Sequence, residues 1–473
     1  MKDNPQKRKF LKFLAAFLGV LALVCATAFA LKFSINFFTG GIFGTTEPTT
    51  MQETAASGPA QTQPPTLPTE TQPPETEAPT EPRSDAETAR ATITVTGDVM
   101  MHLPVVNSGK TGNTYNYDQV FSYISDYVNQ ADYAVANLET TLAGLDNGYE
   151  YSGFPRFNCP DTITDAIKNA GFDMLLSANN HSYDTDTFGM KRTLSIIKDR
   201  GLETLGTMET ADEPKYKVLD INGIKVGMVC YTYGEIDAST GKKAVNGIPM
   251  DSDAWDLINV FDYTKLDRFY EEMETHIADM RSEGAEAIVL FIHWGVEYQT
   301  YANDYQTEIA QKMCDLGVDV IAGGHPHVIQ PAAWLTSTID SEHNTLCVYS
   351  MGNCLSNQRA DNVGVPSGHT EDGMLFSFTF VKYKNGEVYL DSADILPTWV
   401  RLWYSNGQKT YTILPLDEDV TDWAAAFSID TSTYSSAEAS YARTMKLVGD
   451  GLSQAQTALA EAKEEREAVF AGA

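Results

Sequence analysis

Basic residues are scarce in this 473-residue chain: 33 lysines and arginines stand against 64 aspartates and glutamates, a formal net charge of −31 at pH 7. Such a surface repels nucleic acid and other polyanions at long range, which excludes nucleic acid as a partner. Any anionic substrate then needs local neutralisation by a cation or an arginine. Cysteine is scarce too. There are six, and none falls in a C-x-x-C spacing. Cys25 lies in an apolar run, and the odd remainder (Cys159, Cys230, Cys314, Cys347, Cys354) argues against a disulfide framework and reads as small buried hydrophobes. Histidine is equally sparse at eight residues, so any clustering of it is informative.

Large apolar side chains are nearly missing from Thr45 to about Asp85, a stretch rich in proline, threonine and glutamate. It cannot bury enough surface to fold, and its prolines favour extended conformers. Residues 32–88 therefore read as a disordered stalk. Before it, residues 1–12 form a basic tail, and Phe13–Leu31 supplies 19 residues without a charge. About 20 apolar residues cross a bilayer as a helix. The basic flank stays in the cytoplasm, so the expectation is a single-pass protein of the cell membrane with its folded domain outside. A cleaved signal peptide is the rival reading, with Ala26-Thr27-Ala28 or Ala28-Phe29-Ala30 as the cleavage motif. The length of the apolar run favours an uncleaved anchor.

What is present after the stalk is a folded domain, expected over residues 89–400. Hydrophobic residues make up 43% of the chain, enough for a sizeable core. β-branched runs such as "ATITVTGDV", "IKVGMVCYTY", "AEAIVLFIHW" and "VDVIAGG" alternate with helical stretches. That alternation predicts an α/β architecture with largely parallel, buried strands. "GMLFSFTFVKYKNGEVYLDSADILP" adds an antiparallel hairpin turning at Asn385-Gly386. Residues 401–473 read as a C-terminal extension with an Ala/Glu-rich helix, interrupted at Gly449 and Gly451.

The polar residues fall where strands end, which is where ligands bind in open α/β sheets. Successive strands terminate in Asp98, in Asn137 and Glu139, in Asn180 and His181, in His293, and in His325 and His327. Imidazole, carboxylate and amide oxygen without thiolate suit a divalent Mn, Fe or Zn site. The donors exceed one tetrahedral shell, so two ions bridged by a carboxylate are expected, able to activate water and stabilise an oxyanion. In "AGGHPHVIQP", positions i and i+2 of an extended segment face one side, which would aim His325 and His327 at the same cluster. Asp184 reads either as a general acid for the leaving group or as a cap of the next helix. Arg156, in "GFPRFNCP", can hold a carboxylate or phosphate bidentately. Glu297 could orient His293, while Trp294 and Tyr298 read as packing residues.

"TGDVMMH", "ANLET", "ANNHSYD", "HWGVEY", "GGHPHVIQP" and "YSMGN", spanning Thr92 to Asn353, resemble the successive motifs of the CapA/PgsA capsule-synthesis family, which sits among the calcineurin-like metallophosphoesterases. The resemblance implies a four-layer α-β-β-α sandwich of two mixed sheets. It implies Asp98, Glu139, Asn180, His181, His293, His325 and His327 as metal ligands, with Glu139 in the bridging place. Asn353 matches a family position near the site and stands as a substrate-binding candidate beside Arg156. The superfamily opens with D-x-H, whereas here Asp98-Val-Met-Met-His102 has a longer spacing, so His102 departs from the pattern. Glu139 also replaces the usual aspartate. The implied substrate is an anionic polymer such as poly-γ-glutamate, and the implied partners are membrane-embedded synthase or export subunits. Hydrolytic attack at a phosphoryl or acyl centre, with Asp184 or His293 in catalysis, is the first reading. A non-catalytic scaffold of a polymer synthase and a phosphodiesterase of the cell wall are the alternatives.

Overall fold

A β-branched run beginning at Glu87 nucleates the first of two large sheets. The computed structural model describes residues 87–363, 368–405, 407–417 and 429–472. The basic tail, the apolar segment 13–31 and nearly all of the expected stalk lie outside these residues. Among the described residues no helix is long and apolar enough to cross a membrane.

Strand β1 (Glu87–Val99) lies at the middle of the first sheet. On one side run β2 (Tyr133–Leu138), β3 (Met174–Leu176) and β4 (Glu203–Leu205), all parallel to it. On the other side β13 (Asp372–Tyr383), β14 (Val388–Ser405) and β15 (Gln408–Pro415) form an antiparallel meander. Gly386, at φ +90°, turns the β13–β14 hairpin where the Asn-Gly pair predicts it. At its carboxyl end β1 gains a parallel neighbour, β12 (Asn353–Leu355), with Asp98 opposite Asn353.

The second sheet runs β7-β6-β8-β9-β11-β10, comprising β6 (Ile224–Tyr233), β7 (Val260–Phe261), β8 (Ala287–His293), β9 (Val320–Gly324), β10 (Ala332–Thr336) and β11 (Asn344–Val348). Its strands are parallel except β10, and β5 (Tyr216–Ile221) pairs antiparallel with β6. Alternate residues of the two sheets face each other: Ile93, Val95 and Phe378 of the first share one core with Met228, Val289 and Phe291 of the second. Each such buried side chain stabilises the fold by about 1.5–3 kcal/mol. The opposite faces are covered by helices. α1 (Leu103–Ser108), α2 (Thr162–Asn169) and α3 (Asp186–Asp199) pack on the first sheet. α4 (Leu266–Ser282) and α5 (Asp304–Asp315) pack on the second.

The boundary expected at 400/401 falls inside β14. That strand continues to Ser405 and pairs with β15, and Val400, Tyr411 and Ile413 are buried in the first sheet's outer core. The segment after 400 therefore belongs to the sheet, because its own alternation continues the apolar face. The C-terminal helix α6 (Tyr434–Gly472) runs without interruption through Gly449 and Gly451. A side chain at Gly451 would collide with the Ala332 carbonyl, so this glycine lets the helix lie directly on edge strand β10 rather than ending it. Along its length the helix also meets β14, with Gln456 donating to the Ala393 carbonyl at 3.0 Å. The five described cysteines are free and buried.

Candidate metal centre

The carboxyl ends of β1, β2, β8 and β9 meet at one rim, and the polar residues that terminate them converge there. Asp98 is fully buried at the end of β1. Its Oδ1 accepts from Asn137 Nδ2 at 2.7 Å, and its Oδ2 accepts from the His325 backbone N–H at 3.2 Å and pairs with His327 Nδ1 at 3.0 Å. Burial pushes the Asp98 carboxyl up, but the His327 hydrogen bond, the charges of His293 and His327 and the Asn137 amide outweigh it and hold the group below its ordinary value. Gly324 makes this approach feasible: a Cβ there would lie 2.8 Å from Asp98 Oδ1.

Glu139 follows β2 directly and is also fully buried, yet neither of its carboxylate oxygens has a hydrogen-bond partner. His293 Nε2 stands 3.4 Å and His327 Nε2 3.8 Å from Glu139 Oε1. A buried, unpaired carboxylate is costly unless a cation lies against it. Glu139 belongs to two ligand triads, one with His293 and His325, the other with Asp98 and His327. Within each triad the ligating atoms lie within 4.8 Å of one another. His325 Nδ1 is likewise buried without a partner. Burial, reinforced by His293, His327 and His181, pushes His325 well below its ordinary value, so the ring is neutral and its lone pair is free to ligate. Asn180 places its Oδ1 2.8 Å from His293 Nε2, beside the first triad. The donor set and the orphaned oxygens of Glu139 fit divalent-cation binding.

His325 and His327 reach their places differently from the extended alternation expected. Both have left-handed backbones, at φ +95° and +56°. The resulting turn sends the two rings to different triads. Such conformations cost about 1–3 kcal/mol each and persist only where the surroundings fix them. Asp98 holds the His325 N–H, and Asn353 Nδ2 donates to the His327 carbonyl at 3.2 Å. Asn353 also donates to Gln358 Oε1 and the Thr370 carbonyl, both at 3.0 Å. Its amide nitrogen is thus occupied in pinning the histidine turn, while its Oδ1 is buried without a hydrogen-bond partner.

His181 is in neither triad. Its Nδ1 pairs with Asp184 Oδ2 at 2.7 Å, and the same oxygen accepts from the Phe157 backbone N–H at 2.6 Å. Burial lowers His181, but the hydrogen bond and charge of Asp184, followed by Glu139, raise it above its ordinary value overall. Asp184 is itself buried and caps no helix. Glu297 is exposed and makes no hydrogen bond to His293 among the described residues. Trp294 is buried with its indole N–H on the Tyr349 carbonyl at 2.8 Å. The half-buried Tyr298 hydroxyl accepts from Gln358 Nε2 at 3.3 Å. His102 lies at the edge of the site: its ring packs on Phe157 at 5.1 Å, and burial together with His327 and His181 pushes it down to about 4.

Sequence reasoning did not single out Asn179 or Tyr233. Asn179 donates to Asn137 Oδ1 at 3.1 Å and accepts the His181 N–H at 3.1 Å, joining the ligand loop to the Asp98 end of the site. The Asn179-Asn180 doublet was the available signal. Tyr233, at the end of β6, packs on His325 at 4.7 Å between ring centroids, and nothing in its sequence context distinguishes it from a core tyrosine.

The Asp98–His327 pair gives the metal-free protein a pH signature. Burial opposes protonation of His327, but the Glu139 charge and the Asp98 hydrogen bond win and push it up to about 9 from 6.5. The fold therefore binds this proton more tightly than the unfolded chain does. The stabilisation is complete below pH 6.5 and fades as the pH rises through about 9. Thermal melts in chelator should show Tm falling across that window; a flat Tm would disprove the pair.

A family model described as "Bacterial capsule synthesis protein PGA_cap" matches residues 92–358, more than half of the chain and all of the residues that build this centre. The chain belongs to this family. Two relatives of this PGA_cap member are "Capsule biosynthesis protein CapA" of Bacillus anthracis, 28% identical over 59% of the chain, and "PGA biosynthesis protein CapA" of Bacillus subtilis (strain 168), 27% identical over 63%. The chain spans 62% of the first relative's length and 70% of the second's. A solved structure of Haemophilus influenzae NAD nucleotidase aligns over 80% of the chain and 68% of its own, at 12% identity and a TM-score of 0.38.

Proposed function

We propose that this protein is a divalent-metal-dependent hydrolase of capsular polymer biosynthesis, held at the outer face of the cell membrane by Phe13–Leu31 and acting on an anionic polymer of the poly-γ-glutamate type. Family membership and the relatives' names support the capsular role. One observation carries the chemistry: Glu139, buried and without a hydrogen-bond partner, is shared by two ligand triads beside a His–Asp pair. The α/β body with ligands at strand ends also agrees with a metallophosphoesterase-like origin. The basic flank of the apolar segment supports the outward orientation. Membrane-embedded synthase or export subunits are the partners this location implies.

Asp98, Glu139, Asn180, His293, His325 and His327 would hold the cations, of Mn, Fe or Zn type. When bound, the ions polarise the scissile group and activate water. The protein's own residues supply the rest. Asn353 and Asp98 fix the turn that presents His325 and His327. Asp184 fixes His181 through Nδ1, which leaves Nε2 as the nitrogen that can deliver a proton to the leaving group. Asp184 raises the proton affinity of His181 above its ordinary value, which favours the protonated ring.

The test is cleavage of a γ-glutamyl oligomer by the full chain, loaded with manganese or stripped with chelator, beside an aryl phosphate and a phosphodiester. Metal-dependent release of shorter γ-glutamyl chains is the expected result. Turnover of the phosphoesters alone would make it a phosphoesterase. No turnover with both ions bound would make it a scaffold.

A further inference from the structure

A cleft of about 540 Å³ opens beside the metal centre, lined by His102, Leu103, Tyr151, Phe154 and Arg156 among others. Its far wall is the loop from Ser152 to Asn158, which is firmly built. The two end residues exchange both backbone hydrogen bonds, at 2.9 and 3.2 Å. The Asn158 side chain is saturated, accepting from the Ala143 N–H and donating to the Gly144 and Glu150 carbonyls. Gly153 seats the loop against the near wall, since a Cβ there would lie 2.5 Å from the Leu103 nitrogen. This rigid frame leaves Phe154 76% exposed and Arg156 exposed at the tip. Among the described residues Arg156 makes no ion pair, a state it shares with Arg268 and Arg466, and of these three it is the one that lines the cleft.

The cleft is tied to the reacting groups. Phe157, next to Arg156, donates its N–H to Asp184 and sets its ring edge-on to His181 at 4.6 Å. The residue next to Arg156 in the chain thus touches both members of the His181–Asp184 pair, and His102 lines the same cleft. We infer that Arg156 and the Phe154–Leu103 walls form a specificity subsite for a carboxylate on the substrate unit flanking the scissile bond, with that unit's methylenes against the apolar walls. This rests on the hydrolase reading for its role but not for its binding chemistry. A single planar guanidinium matches a monoanionic carboxylate in a bidentate pair. A phosphate dianion calls for more donors than this largely apolar cleft offers.

The test is equilibrium binding to the manganese-loaded full chain of tri-γ-glutamate and of the same trimer with its α-carboxylates converted to amides. Charge-assisted pairing predicts that the acid binds about tenfold or more tightly than the amide. Arg156→Gln should erase that preference and Arg156→Lys should retain part of it. Gly153→Val, which would push the loop off Leu103, should also weaken the acid selectively. Equal binding of acid and amide by the natural chain, or an unchanged preference in Arg156→Gln, overturns the inference. So does tighter competition by methyl phosphate than by acetate. Because the readout is binding, a protein that discriminates the acid yet cleaves nothing would refute the hydrolase reading while leaving the subsite standing.

Discussion

On the two-ion reading proposed above, replacing Glu139 by glutamine is expected to cost both cations at once. The two ligand triads have only this residue in common, and both of its oxygens are buried with nothing else to bind. Changing residues that merely orient a ligand lowers metal affinity by about 10–100-fold, so loss of a shared ligand should exceed about 100-fold at each site. Asp98→Ala, by contrast, removes a donor from one triad, and the other triad remains complete. Elemental analysis after dialysis separates the two outcomes. Stability supplies a second readout. In chelator, natural Glu139 is a buried carboxylate without hydrogen bonds, so Glu139→Gln should melt close to the chelated natural chain while losing the stabilisation that added metal gives. Retention of two ions by Glu139→Gln would show that the carboxylate is not the bridge.

Asp184→Asn should abolish most turnover while leaving the metal in place. Positioned acid catalysis contributes typically about 10²–10⁴-fold, and Asp184 acts on it through His181. Its Oδ2 accepts from both His181 Nδ1 and the Phe157 N–H, so an amide there disturbs the ring's tautomer and its tilt together. Asp184 also sustains the raised proton affinity of His181. Without it the proton is lost at lower pH, so the basic limb of the pH–rate profile should move toward acid. Loss of activity together with loss of metal would instead place His181 among the ligands, which the strand-end pattern and the family resemblance both suggested. Activity and pH profile unchanged would remove the His–Asp pair from the mechanism.

These two substitutions probe neighbouring groups of opposite character. Glu139 has no hydrogen bond at either oxygen, whereas Asp184 holds a ring and a backbone N–H on its Oδ2. The distinction comes from folding, since both are acidic residues following an asparagine-containing strand end.

The sequence by itself determined a great deal here. Strand after strand ending in a carboxylate, amide or imidazole put Asp98, Glu139, Asn180, His293, His325 and His327 at one rim, because parallel strands of α/β sheets end on the same side. The alternation of strand and helix fixed the layer pattern for the same reason: period and length are local properties that burial reads directly. What only the tertiary structure decided were the roles. His181 stands outside both triads and pairs with Asp184, because Phe157, 24 positions upstream of it in the chain, supplies the N–H and ring that hold the pair. Asn353 became a clamp on the His327 carbonyl. His325 and His327 were split between two triads by left-handed turns that no alternation rule foresees. Gly451, which reads as a helix breaker, became a contact with β10. Hydrogen bonds and close approaches between segments distant in sequence set each of these, and a one-dimensional pattern carries the donors and acceptors but not their pairing.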